Sequence, residues 1–547
     1  CISVARPPQF SVAAAAILAP VSMLIDPNKM PKPVNKVVIV GGGTAGWLTA
    51  GLLAAEHKAQ EGFDVVLIES PDVSPIGVGE GTWPTMRLTL EKMGISETDF
   101  FRKCDASFKQ GTRFNGWLDG SDAFYYHPFM PPAGFNEVTL GPYWSAYKDR
   151  VSFADAVSPQ GRAISRALAP KQIATPEYAA VLNYGYHLDA GKFSAFLQFH
   201  CTERLGVQHI RDNVTSVNMT ESGDIESLDT ASGNVLDGDL FVDCTGMAAL
   251  LIGKALDIGF VSRSKNLFND RALAVQMPRQ DPEEPIASVT LSTARRAGWI
   301  WDIALPSRRG VGYTYSSSHT DDDAAEGELR DYLASVASAD FAKSCSIRQI
   351  RFSPGHREKL WHRNCVAIGL AGGFVEPLEA SALVMIELSA KMLAEHLPAN
   401  RDIMEIHARR FNDKFRYHWE RIIEFLKLHY VLSRRRDTDY WRDNCDPGSF
   451  PAGLRESLQL WQYESPWRDD LPQFDELFSA ASYQYVLYGM GFETEKPAEG
   501  SRSYERGMSL AENLFRENEQ RTMQTLGALP TNRELVTKVH EHGFQKI

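Results

Sequence analysis

Gly41-x-Gly43-x-x-Gly46 is the stretch of this chain with the plainest chemistry, because glycine lets the backbone turn sharply and lie close against a pyrophosphate. It follows an apolar, β-branched run, Lys36 to Val40, and opens a helical stretch, Trp47 to His57. The helix start, with Thr44 and Ala45, offers unpaired N–H groups and the positive end of a dipole to an anion. Glu69 ends the next apolar run about 20 residues on, where an acid takes a ribose hydroxyl. The plain alternative is a glycine-rich turn with no ligand, and the flanking strand, helix and acid weigh against it. NAD and FAD both suit such a site. Trp299 and Trp301 form a second pattern, since residues at i and i+2 of an extended segment point the same way. By themselves they read as two core aromatics. Fourteen histidines include no H-E-x-x-H spacing, seven cysteines include no C-x-x-C pair, and His540-Glu541-His542 reads as a polar tail. No metal site is expected.

These residues need elements to hold them. Lys36–Val40, the glycine turn, the helix and the strand Phe63 to Glu69 make a βαβ unit. Lys192 to Leu205 reads as a helix and Ile225 to Asp243 as strand material ending in Leu240-Phe241-Val242-Asp243-Cys244-Thr245-Gly246. Cys365 to Gly369 is a buried-type strand feeding a glycine turn. Both later segments are of the kind that returns to a flavin. One nucleotide-binding domain interrupted by insertions is therefore expected. Val289 to Ser318 has strand character. Asp105 to Val151, rich in aromatics, glycine and proline, reads as a pocket wall or loop system rather than a regular sheet. Ala382 to His396 and Met404 to Tyr430 read as helices.

At 547 residues, with 44% apolar and 23% charged residues, the chain should form two or more packed lobes of an ordinary globular protein. A net charge of −12 with no basic run argues against nucleic acid as a partner. Scattered, odd-numbered cysteines suit a reducing cytoplasm. Phe10 to Ile25 is apolar but shorter than the ~18 residues of a spanning helix, so no membrane partner is expected. With only Arg6 before it, this stretch is a poor signal peptide. Met30 is taken as the biological start and residues 1–35 as an extension, extraneous to the fold.

Several stretches, in order, resemble the flavin-dependent halogenases of the tryptophan halogenase type. They are GGGTAGW (Gly41 to Trp47), GVGEGT (Gly77 to Thr82), DASFK (Asp105 to Lys109), NYGYHLDA (Asn183 to Ala190), LFVDCTG (Leu240 to Gly246), GFVEPLE (Gly373 to Glu379) and RRRDTDYW (Arg434 to Trp441). Gly298 to Ile303 resembles the family's W-x-W-x-I-P signature. The resemblance implies an α/β fold: an FAD-binding Rossmann-type domain of the aromatic flavin monooxygenase kind, with inserted sheet elements. It places this FAD and halide core at 36–380 and a helical substrate-binding lobe at 381–547. It implies that Gly41, Gly43, Thr44, Ala45, Gly46, Glu69 and Gly369 hold FAD. Lys109 matches the lysine that receives hypohalous acid and Glu379 the glutamate beside it. Trp299 and Trp301 would separate substrate from flavin. His127, Phe129 and Tyr483 would line the pocket of a small aromatic substrate, an indole or tryptophan-like compound.

Where family members read Ser-Thr-Gly after the glutamate, this chain has Ala380-Ser381-Ala382. Ser381 and Ala382 thus stand at the halide position, chloride or bromide. Gln484 replaces a second aromatic, and Ala304 replaces the proline of the tryptophan signature. With one dinucleotide fingerprint, a separate NAD(P)H-dependent flavin reductase is implied, and a homodimer stays open. The competing readings are a flavin monooxygenase that hydroxylates an aromatic and an FAD-binding flavoprotein without halogenase activity.

Overall fold

The structure, a computed structural model, describes residues 32–73, 79–473, 476–496 and 500–545. Phe10 to Ile25, Met30 and the first residues of Gly77 to Thr82 lie outside them.

Lys36–Val40 is buried on both faces, as a near-continuous Val/Ile run demands, and sits inside a six-stranded sheet. The order is Trp361–His362, Cys365–Ala367, Leu240–Asp243, Lys36–Val40, Asp64–Glu69, Gln208–Arg211. The last five run parallel, so their C-terminal ends open on one side. Helix Thr44–Glu56 leaves the first of them and packs between helices Ala190–Leu205 and Ser381–Glu395. This is a Rossmann-type nucleotide-binding layer drawn from four distant stretches of sequence.

A seven-stranded sheet forms the second layer, in the order Arg348–Arg351, Arg271–Pro278, Arg308–Tyr315, Gly298–Ala304, Thr290–Ala294, Gly111–Asn115, Phe124–Pro128. Asp105 to Val151 thus holds regular sheet, contrary to the loop reading. Its strands were hidden because one edge of Gly111–Asn115 pairs with Thr290–Ala294, some 180 residues away. Every residue of Gly298–Ala304 is buried. Ile300 faces Leu329 and Leu333 of helix Asp322–Val336, whereas Trp299, Trp301 and Ile303 face the main core.

A three-stranded sheet, Gly79–Gly81, Gly185–Asp189 and Ser107–Lys109, lies between the layers, with Lys109 on an edge strand. The 28-residue helix Met404–Val431 crosses the helical side, and helices Ala480–Gly489, Arg502–Ala528 and Asn532–His542 follow. His540 and His542 therefore belong to a helix with a capping box, Thr531 and Glu534, rather than to a polar tail. Among the described residues no helix is long and apolar enough to cross a membrane, and no His/Cys/Asp/Glu group could hold a metal ion.

Candidate active site

Three strand ends meet at the glycine turn. Gly41 has φ +116°, and a Cβ there would lie 2.3 Å from the Cys244 carbonyl oxygen; a Cβ on Gly46 would lie 1.9 Å from Gly41 O. Neither position admits a side chain. Around Gly43 the space is open, and helix Thr44–Glu56 starts with no side-chain cap, leaving its first N–H groups free for an anion. Glu69 lies against Gly42 and accepts from His209 Nε2 at 2.8 Å. Gly369, φ +74°, approaches Ala45 from the third strand end. Asp243 is consumed structurally, accepting from the amides of Thr245, Leu251 and Ile252. A turn that excludes Cβ atoms, an uncapped helix start and an acid at the end of the adjacent strand fit the pyrophosphate and ribose of a dinucleotide.

Lys109 is buried, and its ammonium makes no hydrogen bond or ion pair among the described residues. Desolvation lowers its pKa to about 8, against the pull of the Glu379 charge. Its Nζ lies 5.5 Å from the centre of the Phe129 ring and fills the notch left by Gly81, where a Cβ would come within 2.9 Å of it. His187 flanks the same notch. Burial, and then the Lys109 charge, push its pKa well below the ordinary histidine value, so it is neutral.

Glu379 is also buried, on a loop pinned by Trp83, whose indole N–H donates to the Glu379 carbonyl at 2.7 Å. Glu379 and Ala380 both take left-handed backbone angles, φ 63° and 54°. Two adjacent non-glycine residues there cost about 1–3 kcal/mol each, strain of the kind kept at functional positions. Burial alone would raise the pKa of this carboxyl, but His127 and His429 outweigh it and hold the group well below the usual carboxylate range. His127 Nδ1 is 2.7 Å from Oε1, Thr112 Oγ donates to Oε2 at 3.3 Å, and His429 Nε2 is 3.4 Å from Oε1, longer than a good hydrogen bond. The Tyr125 hydroxyl, kept protonated by burial, lies 2.6 Å from His429 Nδ1; the tautomer with its N–H on Nε2, facing the Glu379 carboxylate, is the one in which the phenol donates to Nδ1.

Trp299 and Trp301 lie on one face with ring centres 6.3 Å apart. The Trp299 N–H donates at 2.6 Å to Glu376, three residues before Glu379, and Tyr430 and Asn269 donate to the same oxygen. Trp301 lies over Gly312, where a Cβ would be 2.0 Å from the indole. Tyr483 is buried against Phe425, centres 5.0 Å apart, and Phe425 stands 5.7 Å from His127. Tyr483 is thus one ring removed from His127, and Tyr485 faces that histidine at 6.2 Å. Gln484 donates its amide to the Pro466 carbonyl. Helix Ser381–Glu395 starts uncapped, so the Ser381 and Ala382 amides are not taken by a side chain.

A sequence profile described as tryptophan halogenase matches residues 36–505. The chain belongs to the tryptophan halogenase family. Tryptophan 7-halogenase RebH of Lentzea aerocolonigenes is 30% identical over 93% of this chain and 100% of its own length. The crystal structure of a tryptophan halogenase from Shewanella frigidimarina is 51% identical, TM-score 0.91, over 94% of this chain and 99% of that one. BrvH, a flavin-dependent halogenase from Brevundimonas, is 31% identical, TM-score 0.82, over 92% and 99%. Members of this family are flavin-dependent enzymes, and membership implies FAD and halide. Gly81 and His187 stand within the GVGEGT and NYGYHLDA stretches but had no role assigned from sequence, and Thr112, Phe425 and His429 lie in no motif at all.

Proposed function

We propose that this chain is a flavin-dependent halogenase that uses reduced FAD, dioxygen and chloride or bromide to halogenate an electron-rich aromatic, an indole or tryptophan-like compound. The observation that carries this reading is a buried Lys109 ammonium, with no hydrogen bond or ion pair among the described residues, within the electrostatic reach of a buried, ionised Glu379. FAD, held by Gly41, Gly43, Thr44, Ala45, Gly46, Glu69 and Gly369 and reduced by a separate flavin reductase, supplies hypohalous acid from oxygen and halide when bound. The uncapped amides of Ser381 and Ala382 hold the halide.

Lys109 donates an N–H to the oxygen of hypohalous acid. A desolvated donor with no competing acceptor among the described residues is well suited to this. The halogen adds to a ring carbon as the oxygen–halogen bond breaks, and the departing hydroxide takes the lysine proton to become water. Glu379 takes the proton from that ring carbon, and the return of this proton to Lys109 restores both the ammonium and the carboxylate. His127 and Thr112 keep the carboxylate oriented meanwhile. His127, Phe129 and Tyr483, with Phe425, line the substrate pocket, and Trp299 and Trp301 keep substrate from the flavin.

The test is mass spectrometry of indole and tryptophan after incubation with enzyme, FAD, a generic flavin reductase, NADH and bromide or chloride. A halide-dependent monohalogenated product, absent with Lys109→Ala, supports the proposal. Hydroxylated product without halide overturns it in favour of a monooxygenase, and FAD binding with no product from any aromatic leaves a flavoprotein without halogenase activity.

A further inference from the structure

The strand that carries Lys109 is short and lies at a sheet edge: Ser107–Lys109 pairs with Gly185–Asp189 on one side only. Such an edge frays unless its free backbone groups are covered. Here the cover comes from residues 529–545, beyond the 36–505 matched by the family profile. Asn532, fully buried at the start of helix Asn532–His542, donates its side-chain N–H to the Phe108 carbonyl at 3.1 Å, one residue before Lys109. One residue after Lys109, the Gln110 side-chain amide donates to the Leu168 carbonyl at 2.7 Å, and Leu168 is itself bridged to Thr531. The Asn532 backbone N–H bonds to Ala167 O at 2.8 Å and the Ala169 N–H to Pro530 O at 2.9 Å, fixing the segment in register. Its far end is tied down independently: Phe544 lies 4.1 Å under the buried Lys171 ammonium, contacts Phe101 and Phe108, and bonds through its N–H to Thr98 at 3.0 Å.

We propose that residues 529–545 are a clamp that holds Lys109 in its desolvated position, with Asn532 as the positioning residue and Phe544 as the second anchor. The proposal rests on the reading of Lys109 as the residue that receives hypohalous acid. Neither Asn532 nor Phe544 touches the flavin turn, so FAD binding should survive their loss. Releasing the edge admits water to Lys109, and its pKa should climb from about 8 back towards 10.5.

The test uses full-length Asn532→Ala and Phe544→Ala. Three quantities are compared with the unmodified chain: FAD affinity, halogenated product per reduced flavin consumed, and the pH midpoint for reductive methylation of Lys109 by formaldehyde and cyanoborohydride, mapped by peptide mass spectrometry. The methylation midpoint needs no turnover, so it reports on the clamp even if the halogenase reading fails. We expect unchanged FAD affinity, at least about a tenfold loss of product per flavin, and a midpoint raised above 8. A midpoint that stays at the unmodified value in both variants overturns the clamp, whatever the product yield. So does a product loss that only follows a loss of bound FAD.

Discussion

Replacing Lys109 by methionine should abolish halogenation and, at neutral pH, make the fold more stable. The ammonium is held inside the protein with a pKa lowered from 10.5 to about 8, burial prevailing over the attraction of Glu379. Each pKa unit corresponds to about 1.4 kcal/mol, so keeping this charge buried costs about 3 kcal/mol at pH 7. The unfolded lysine keeps its proton up to 10.5 and the folded one only to about 8, so between those values the unfolded state binds more protons. Stability from this group therefore rises with pH across that window, and below it the full cost stands. Methionine has similar length, no charge, and a thioether that packs well against the Phe129 ring. Urea unfolding of both proteins at pH 7 should put the variant ahead by about 2–3 kcal/mol, the gap shrinking to about 1 kcal/mol at pH 10. A variant no more stable than the parent at pH 7, or a gap that stays constant to pH 10, would refute the placement of an unpaired charge at this position.

The same protonation governs turnover: if the ammonium is the donor to hypohalous acid, product formed in single turnovers should fall as pH rises through about 8, and a rise there instead would identify the free amine as the reactive form. Gly81→Ala puts a methyl group 2.9 Å from Lys109 Nζ; because Nζ ends a flexible chain, the fold should tolerate it, while product per flavin falls at least about tenfold with FAD affinity unchanged. Trp299→Phe removes one of three donors from buried Glu376 Oε2 and should cost about 1–3 kcal/mol in urea unfolding. Ala380→Gly relieves a left-handed residue at φ 54° and should leave stability unchanged or raise it by up to about 1 kcal/mol, measured by the same assay.

How much of this was legible in the sequence depends on how local each constraint is. Gly41, Gly43 and Gly46 announce themselves because the contacts that forbid a side chain at Gly41 and Gly46 lie within the turn or at the next strand end, and the strand, turn, helix and acid stand in one run. Lys109 and Glu379 are ordinary residue types whose chemistry comes from burial, and burial is set by partners as distant as His429 and Trp83. Resemblance alone pointed to them. His429 sits in Ile422 to Tyr430, where every residue is buried; with no amphipathic alternation there, nothing local marks which side chain faces the carboxylate. Phe124–Pro128 hid as a strand because its hairpin partner owes its own place to Thr290–Ala294. The segment around Asn532 carries a local signal: Thr531-Asn532-Arg533-Glu534 is a capping box, and both of its bonds form. A helix start could have been placed there from sequence. That its first residue would close the edge of the Lys109 strand could not, since Asn532 and Phe108 are 424 positions apart and only the folded chain brings one's amide to the other's carbonyl.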